Sequence, residues 1–182
     1  VYFGGVDFNA RKNAKNFNAE EMRVAVNTAH AHGVKVYVTQ NTLCYDREMN
    51  AFLSAAETAI AAGADALIVA DMGGAREIKK LFPKCELHAS TQMSGHNLAA
   101  ARELEAGGFS RMVMAREASY EDIKYFTENT SLELEVFVHG ALCVCHSGQC
   151  LFSSMIGGRS GNRGECAQPC RLPYSGGYPL SL

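Results

Sequence analysis

Short apolar runs and longer amphipathic stretches alternate along most of this chain. Val34 to Thr39, Ala66 to Ala70, Glu86 to Ala89, Arg111 to Ala115 and Leu134 to Val138 are runs of strand length rich in apolar or β-branched residues, and Val1-Tyr-Phe reads as the end of one more. Between them the spacing becomes helical. Glu20 to His32 puts Met22, Ala25, Val26 and Ala29 on one face, and helical stretches also cover about Asp46 to Ala62, Ala75 to Leu81, Ser94 to Ala106 and Ser119 to Glu128. Asn18 with Glu21, and Ser119 with Asp122, have the spacing of a capping box, in which each residue's side chain satisfies the other's backbone N–H. Gly33, Gly63 and Gly107 stand where a helix should stop on a left-handed residue. Repeated βα units of this kind predict an α/β fold built on a parallel sheet.

Polar side chains recur where each strand should end: Asn41, Asp71, His88 with Ser90 and Thr91, Arg116 with Glu117, and His139. In a (β/α) barrel the carboxyl ends of the strands converge on one mouth, and catalytic groups gather there. The expected fold is therefore a partial, TIM-like (β/α) barrel of about six parallel strands, although an open doubly wound sheet would show the same alternation. Six strands fall short of eight, so residues 1–142 are expected to form an incomplete barrel with units missing at both ends.

Bulk properties narrow the setting. A net charge of −2 over 182 residues gives no global basic field, so any contact with RNA must be local. The chain has no apolar run of membrane-spanning length, and its first residues lack the basic and apolar regions of a signal peptide, which reads as cytoplasmic. In a reducing compartment its seven cysteines are buried thiols, metal ligands or reactive groups rather than bridges. Cys44 and Cys85, each isolated, read as inert.

The other five cysteines crowd into residues 143–182, which are expected to pack on the barrel mouth as part of the same domain. Cys143, Cys150, Cys166 and Cys170 follow C-x6-C-x15-C-x3-C, with Cys145 as an extra thiol. Four thiolates suit a tetrahedral zinc or an iron–sulfur cluster, and the missing C-x2-C knuckles lower the case for zinc. Arg159, Arg163 and Arg171 make the segment locally basic. They could bind phosphate or a carboxylate substrate, or anchor the loop to the barrel.

The pattern Glu135-x-Phe137-x-x-Gly140-Ala-Leu-Cys143-x4-Gly148-x-Cys150-x-Phe152-Ser153 resembles the signature of the collagenase-like peptidases, peptidase family U32, with Phe152 where an aliphatic residue is usual. The likeness continues through Arg159-Ser-x-Asn162-Arg-Gly-x-Cys166-x-Gln-Pro-Cys170-Arg and back through His88-Ala-Ser-Thr-Gln92, Ala115-Arg-Glu117 and Tyr2-Phe-Gly-Gly, so it covers nearly the whole chain. The resemblance implies a barrel-like catalytic domain and two competing activities. One is proteolysis of collagen or peptides. The other is hydroxylation of a base in tRNA or rRNA, with an iron–sulfur cluster, expected to be four-iron, and in some members prephenate as a required metabolite. It carries over Cys143, Cys150 and Cys166 as cluster ligands and leaves Cys170 or a residue beyond Leu182 as the fourth.

The residues themselves favour hydroxylation, since the chain has neither a His-Glu-x-x-His zinc motif nor a Gly-x-Ser-x-Gly elbow. On that reading Asp71, His88, Arg116, Glu117 and His139 move protons or position substrate, while Asn41, Arg159, Arg163 and Arg171 bind it. A zinc-ordered RNA-binding module is the non-catalytic alternative.

Overall fold

The computed structural model describes residues 1–140 and 142–174; Ala141 and the last eight residues of the 143–182 segment lie outside the described residues. Six parallel strands form one sheet: β1 (Tyr2–Gly4), β2 (Tyr37–Gln40), β3 (Ala66–Val69), β4 (Glu86–Ala89), β5 (Arg111–Val113) and β6 (Glu133–Glu135), in the order in which they occur in sequence. A doubly wound sheet reverses direction at a switch point, whereas barrel strands add one after another. The strictly sequential order is therefore that of an open stretch of barrel wall.

Five helices connect the strands: α1 (Ala19–Ala31), α2 (Met49–Ala61), α3 (Met72–Leu81), α4 (Leu98–Ala106) and α5 (Tyr120–Asn129). Both capping boxes form, Asn18 with Glu21 at α1 and Ser119 with Asp122 at α5. Gly33 and Gly63 take left-handed backbone, but after α4 that conformation falls on Gly108 while Gly107 stays right-handed. Helix α4 gains one more residue because the Gly107 amide still reaches the Glu103 carbonyl, at 2.9 Å.

Alternate strand residues face the helices and make the core. Val36 and Val38, Leu67 and Val69, Leu87 and Ala89, and Met112 and Met114 pack against Met22, Val26, Phe52, Ile78, Ala101 and Leu104. Burying each of the larger of these side chains stabilises the fold by about 1.5–3 kcal/mol. The strand residues between them point to the opposite face, and there the register sets Thr39, Ile68, His88, Arg111 and Glu133 side by side. On that face the Arg111 guanidinium lies 4.9 Å from the Tyr37 ring centre and pairs with Glu133 and Glu135.

The strand expected over Leu134 to Val138 stops at Glu135. Its one neighbour among the described residues, β5, ends at Val113, and the last ladder bond runs from the Met114 amide to the Glu135 carbonyl. With no partner among the described residues, Val136, Phe137 and Val138 leave the sheet, exposed. Among its described residues the segment after Cys143 holds one short α-helix, α6 (Phe152–Gly157), and two single 3-10 turns, where loop was expected.

Candidate functional site

The cysteine segment lies over the carboxyl ends of the strands, and specific hydrogen bonds pin it there. Ser147 is fully buried. Its amide donates to Glu117 Oε1 at 2.6 Å, its hydroxyl accepts from the Arg116 amide at 3.3 Å, and its carbonyl accepts from Ser94 Oγ at 2.5 Å. Arg116 Nη2 donates to the Cys145 carbonyl at 3.0 Å. Two residues that follow β5 and one that follows β4 thus hold the loop between Cys143 and Cys150. Gly148 turns in left-handed backbone directly against the Gln92 carbonyl, where any side chain would collide.

The second half of the segment is pinned above β1 and β2. Arg163 donates to the Leu43 carbonyl at 2.8 Å and to Glu48 Oε1 at 2.7 Å, and stacks 4.5 Å from the centre of the Tyr45 ring. The Lys12 amide donates to the Gly164 carbonyl at 3.1 Å, and its ammonium pairs with Glu165. Arg163 is thus spent as an anchor rather than offered to substrate. Arg159 and Arg171 each spend one nitrogen on a backbone carbonyl, of Glu165 and Leu142, and are otherwise exposed.

Between this segment and the ends of β2, β3 and β4 lies a cleft of about 380 Å³, lined by Asn41, Leu43, Ala70, Met72, Gln92, Ser94 and Gln149, among others. A second groove, about 640 Å³ and apolar, runs between Val1, Val34 and the outer side of α1, at the opposite ends of the strands. It lies away from the polar residues at the strand ends. The smaller, mixed-polarity cleft is the candidate substrate site.

The predicted strand-end residues separate into different roles. Asn41 lines the cleft and bridges two loops, accepting from the Ala10 amide at 2.9 Å and donating to Ser90 Oγ at 3.1 Å. Asp71 caps α3 through the Gly74 amide at 2.8 Å and accepts from the Cys44 amide at 3.1 Å, which commits both oxygens to structure. His88 lies inside β4, only 2% exposed and edge-on to Tyr37, with Nδ1 unpaired. Burial, reinforced by the Arg111 charge, pushes its pKa down to about 4, so it is neutral. His139 stands exposed beyond β6. Only Arg116 and Glu117 are brought to the cysteine loop.

Around Glu117 the structure assembles two histidines that strand-end reasoning missed. His96 Nε2 lies 3.3 Å from Glu117 Oε2, and His146 Nδ1 lies 3.9 Å from Oε1. Neither follows a strand directly: His96 precedes α4 and His146 lies in the cysteine loop. Burial alone would raise the Glu117 carboxyl, but the hydrogen bonds from Ser147 and the nearby Arg116 outweigh it and hold the pKa below the usual carboxylate range.

The thiols are spread over the surface of the segment, Cys143 and Cys166 exposed and Cys145, Cys150 and Cys170 half-buried. Burial, then the neighbouring Cys150 and Cys143 sulfurs, push the Cys145 thiol up, so Cys145 belongs with these two. Cys166 Sγ accepts from the Gln168 amide at 3.3 Å. Tetrahedral zinc at Zn–S of about 2.3 Å needs sulfurs about 3.8 Å apart. Among the described residues no three cysteine sulfurs lie within 4.8 Å of one another. A cluster, itself several ångströms across, takes thiolates set wider than a single ion does.

A family model described as peptidase family U32 matches residues 1–178. The chain belongs to peptidase family U32. Among its curated relatives in the family are the 23S rRNA 5-hydroxycytidine synthase of Escherichia coli, 43% identical over 96% of this chain and 26% of the relative, and tRNA hydroxylation protein P1 of Bacillus subtilis, 37% identical over 96% of this chain and 41% of the relative. A protein named collagenase from Porphyromonas gingivalis is 32% identical, covering 96% of this chain and 44% of the relative. The chain thus spans between about a quarter and a little under half of the length of these U32 relatives. The solved structure of the U32 peptidase Mk0906 superposes with a TM-score of 0.62 at 16% identity over 75% of this chain and 59% of that one, which supports the fold.

Proposed function

We propose that this U32 chain is part of a cytoplasmic enzyme that hydroxylates a pyrimidine base in 23S rRNA or tRNA. The similarity to named RNA-hydroxylation proteins over 96% of the chain, at up to 43% identity, carries the reading. Proteolysis is the weaker reading, since Ser147, next to His146 and bonded to Glu117 through its amide, is fully buried and its hydroxyl faces the Arg116 amide rather than the cleft.

On this reading Cys143, Cys150 and Cys166 hold an iron–sulfur cluster, with Cys145 or Cys170 as the further thiolate. The cluster supplies one-electron transfer when bound. The protein's own part is to fix the loop that carries it. Glu117 and Arg116 hold the Cys145–Ser147 backbone, and Gly148 brings that backbone against Gln92. Arg159 and Arg171 keep guanidinium edges for RNA phosphate or for the carboxylates of a small co-substrate such as prephenate. Asn41, Gln92 and Gln149 line the cleft with the amide donors and acceptors that a base edge requires.

The test is nucleoside mass spectrometry of rRNA and tRNA from cells lacking the gene and from complemented cells. A hydroxylated pyrimidine should vanish and return. Unchanged modification in both RNAs would refute the assignment, and which RNA loses the base identifies the substrate.

A further inference from the structure

His96, Glu117 and His146 sit on three separate stretches of chain, yet one nitrogen of each imidazole and a carboxylate oxygen lie within 4.8 Å of one another. The geometry points to a divalent metal site of two histidines and one carboxylate, separate from the thiolates, that takes a borderline ion such as zinc, ferrous iron or cobalt.

Three observations converge on it. The first is spacing. Ligands held about 2.1 Å from a tetrahedral ion stand about 3.4 Å apart, and His96 Nε2 to Glu117 Oε2 is already 3.3 Å. His146 is the loosest member, with three-quarters of its side chain exposed, so rotation about its own side-chain bonds can close the remaining gap.

The second is the hydrogen-bonding state of His96. Its Nδ1 lies 2.6 Å from the Ser94 carbonyl, which accepts only, so that nitrogen must carry the proton. A neutral His96 would present the Nε2 lone pair to a carboxylate, an arrangement that is repulsive unless a cation lies between them or a proton sits on Nε2 itself. A backbone carbonyl that fixes the tautomer from behind is also the usual outer partner of a metal-bound histidine. The third is the state of Glu117. The Ser147 amide occupies Oε1, leaving Oε2 turned to His96.

All three side chains reach solvent, so the ion keeps coordination positions for water or a ligand, as a site with three protein ligands does. It would also tie the cysteine loop, through His146, to the ends of β4 and β5. An ion pair between protonated His96 and Glu117 would leave the same coordinates without a metal, and the experiment separates the two.

The full chain is titrated with zinc, with its thiols blocked by iodoacetamide, and binding is read by calorimetry. Unalkylated Cys145→Ser protein is titrated in parallel with cobalt, whose ligand-field bands distinguish nitrogen and oxygen donors from sulfur. One equivalent should bind, at least tenfold more weakly in His96→Ala and in His146→Ala, while the control His32→Ala behaves as the parent. Circular dichroism confirms that each variant is folded. Histidine-dependent binding of one equivalent in either preparation supports the site. Its absence in both, or binding that the His96 and His146 substitutions leave unchanged, overturns it. Neither result bears on nucleoside hydroxylation, so the two readings fail separately.

Discussion

His88 should make the fold sensitive to mild acid. It is 2% exposed on the inner face of β4, edge-on to Tyr37, and burial with the Arg111 charge moves its pKa from 6.5 to about 4. The unfolded chain therefore binds a proton below about pH 6.5 that the folded chain refuses until about pH 4. Stability rises with pH wherever the unfolded state holds more protons, so the penalty begins as pH falls through 6.5 and levels off near 4. Each pKa unit is worth about 1.4 kcal/mol, which gives about 3 kcal/mol across the interval and about 2.5 kcal/mol by pH 4.5. Carboxylates with lowered pKa values, such as Asp65 and Glu105, keep their contribution until pH falls to their unfolded values of 3.8 and 4.5, at or below the acid end of this range. The variant His88→Phe keeps a ring against Tyr37 and removes only the titration. Urea unfolding of parent and variant from pH 7.5 to 4.5 should show a parent slope steeper by up to about 1.4 kcal/mol per pH unit. Parallel curves for the two proteins would refute the argument.

Three further outcomes follow from the site. Gly148→Ala should destabilise the chain by about 3 kcal/mol or displace the cysteine loop, since the position needs left-handed backbone and the new Cβ would overlap the Gln92 carbonyl; urea unfolding and the reaction rate of Cys150 with a thiol reagent check both effects. Arg163→Ala should cost about 1–2 kcal/mol through loss of Leu43, Glu48 and the Tyr45 stacking, and Arg163→Lys should recover only a small part, because an ammonium cannot serve all three partners at once. After anaerobic purification, Ser in place of Cys143, Cys150 or Cys166 should abolish bound iron and sulfide, while Cys145→Ser and Cys170→Ser show whether either thiol is the fourth ligand; full iron in all five variants would end the cluster reading.

Periodicity made the wall of the fold legible and failed at its margins for physical reasons. Local signals such as the Asn18–Glu21 and Ser119–Asp122 capping boxes need only neighbours in sequence, and both form. The end of β6 depends on where β5 stops, and nothing in Val136-Phe-Val carries that information. The site shows the same division. Polarity at strand ends selects Asp71 and Glu117 equally, but Asp71 is followed at once by a helix whose free N–H groups claim it. Glu117 is followed by Ala118 and then by a helix whose cap is supplied by Ser119 instead, and so remains available to the incoming loop.

That difference explains why the cysteine segment needs the barrel wall at all. Six residues separate Cys143 from Cys150 and fifteen separate Cys150 from Cys166, so the thiolates are not held together by local geometry as closely spaced knuckles would be. Fixing them costs roughly 1–2 kcal/mol of backbone entropy per residue ordered, and α6 with its few internal bonds recovers little of it. The contacts that offset this cost come from elsewhere in the chain: Arg116, Glu117 and Ser94 on the first half, Glu48, Leu43 and the Lys12 backbone on the second. Any substitution that loosens these anchors should therefore lower cluster retention even though it touches no cysteine. On the same logic, Glu117→Gln should weaken metal loading at the thiolates less than it weakens binding at His96 and His146, because the amide can still accept the Ser147 N–H but offers no charge to an ion.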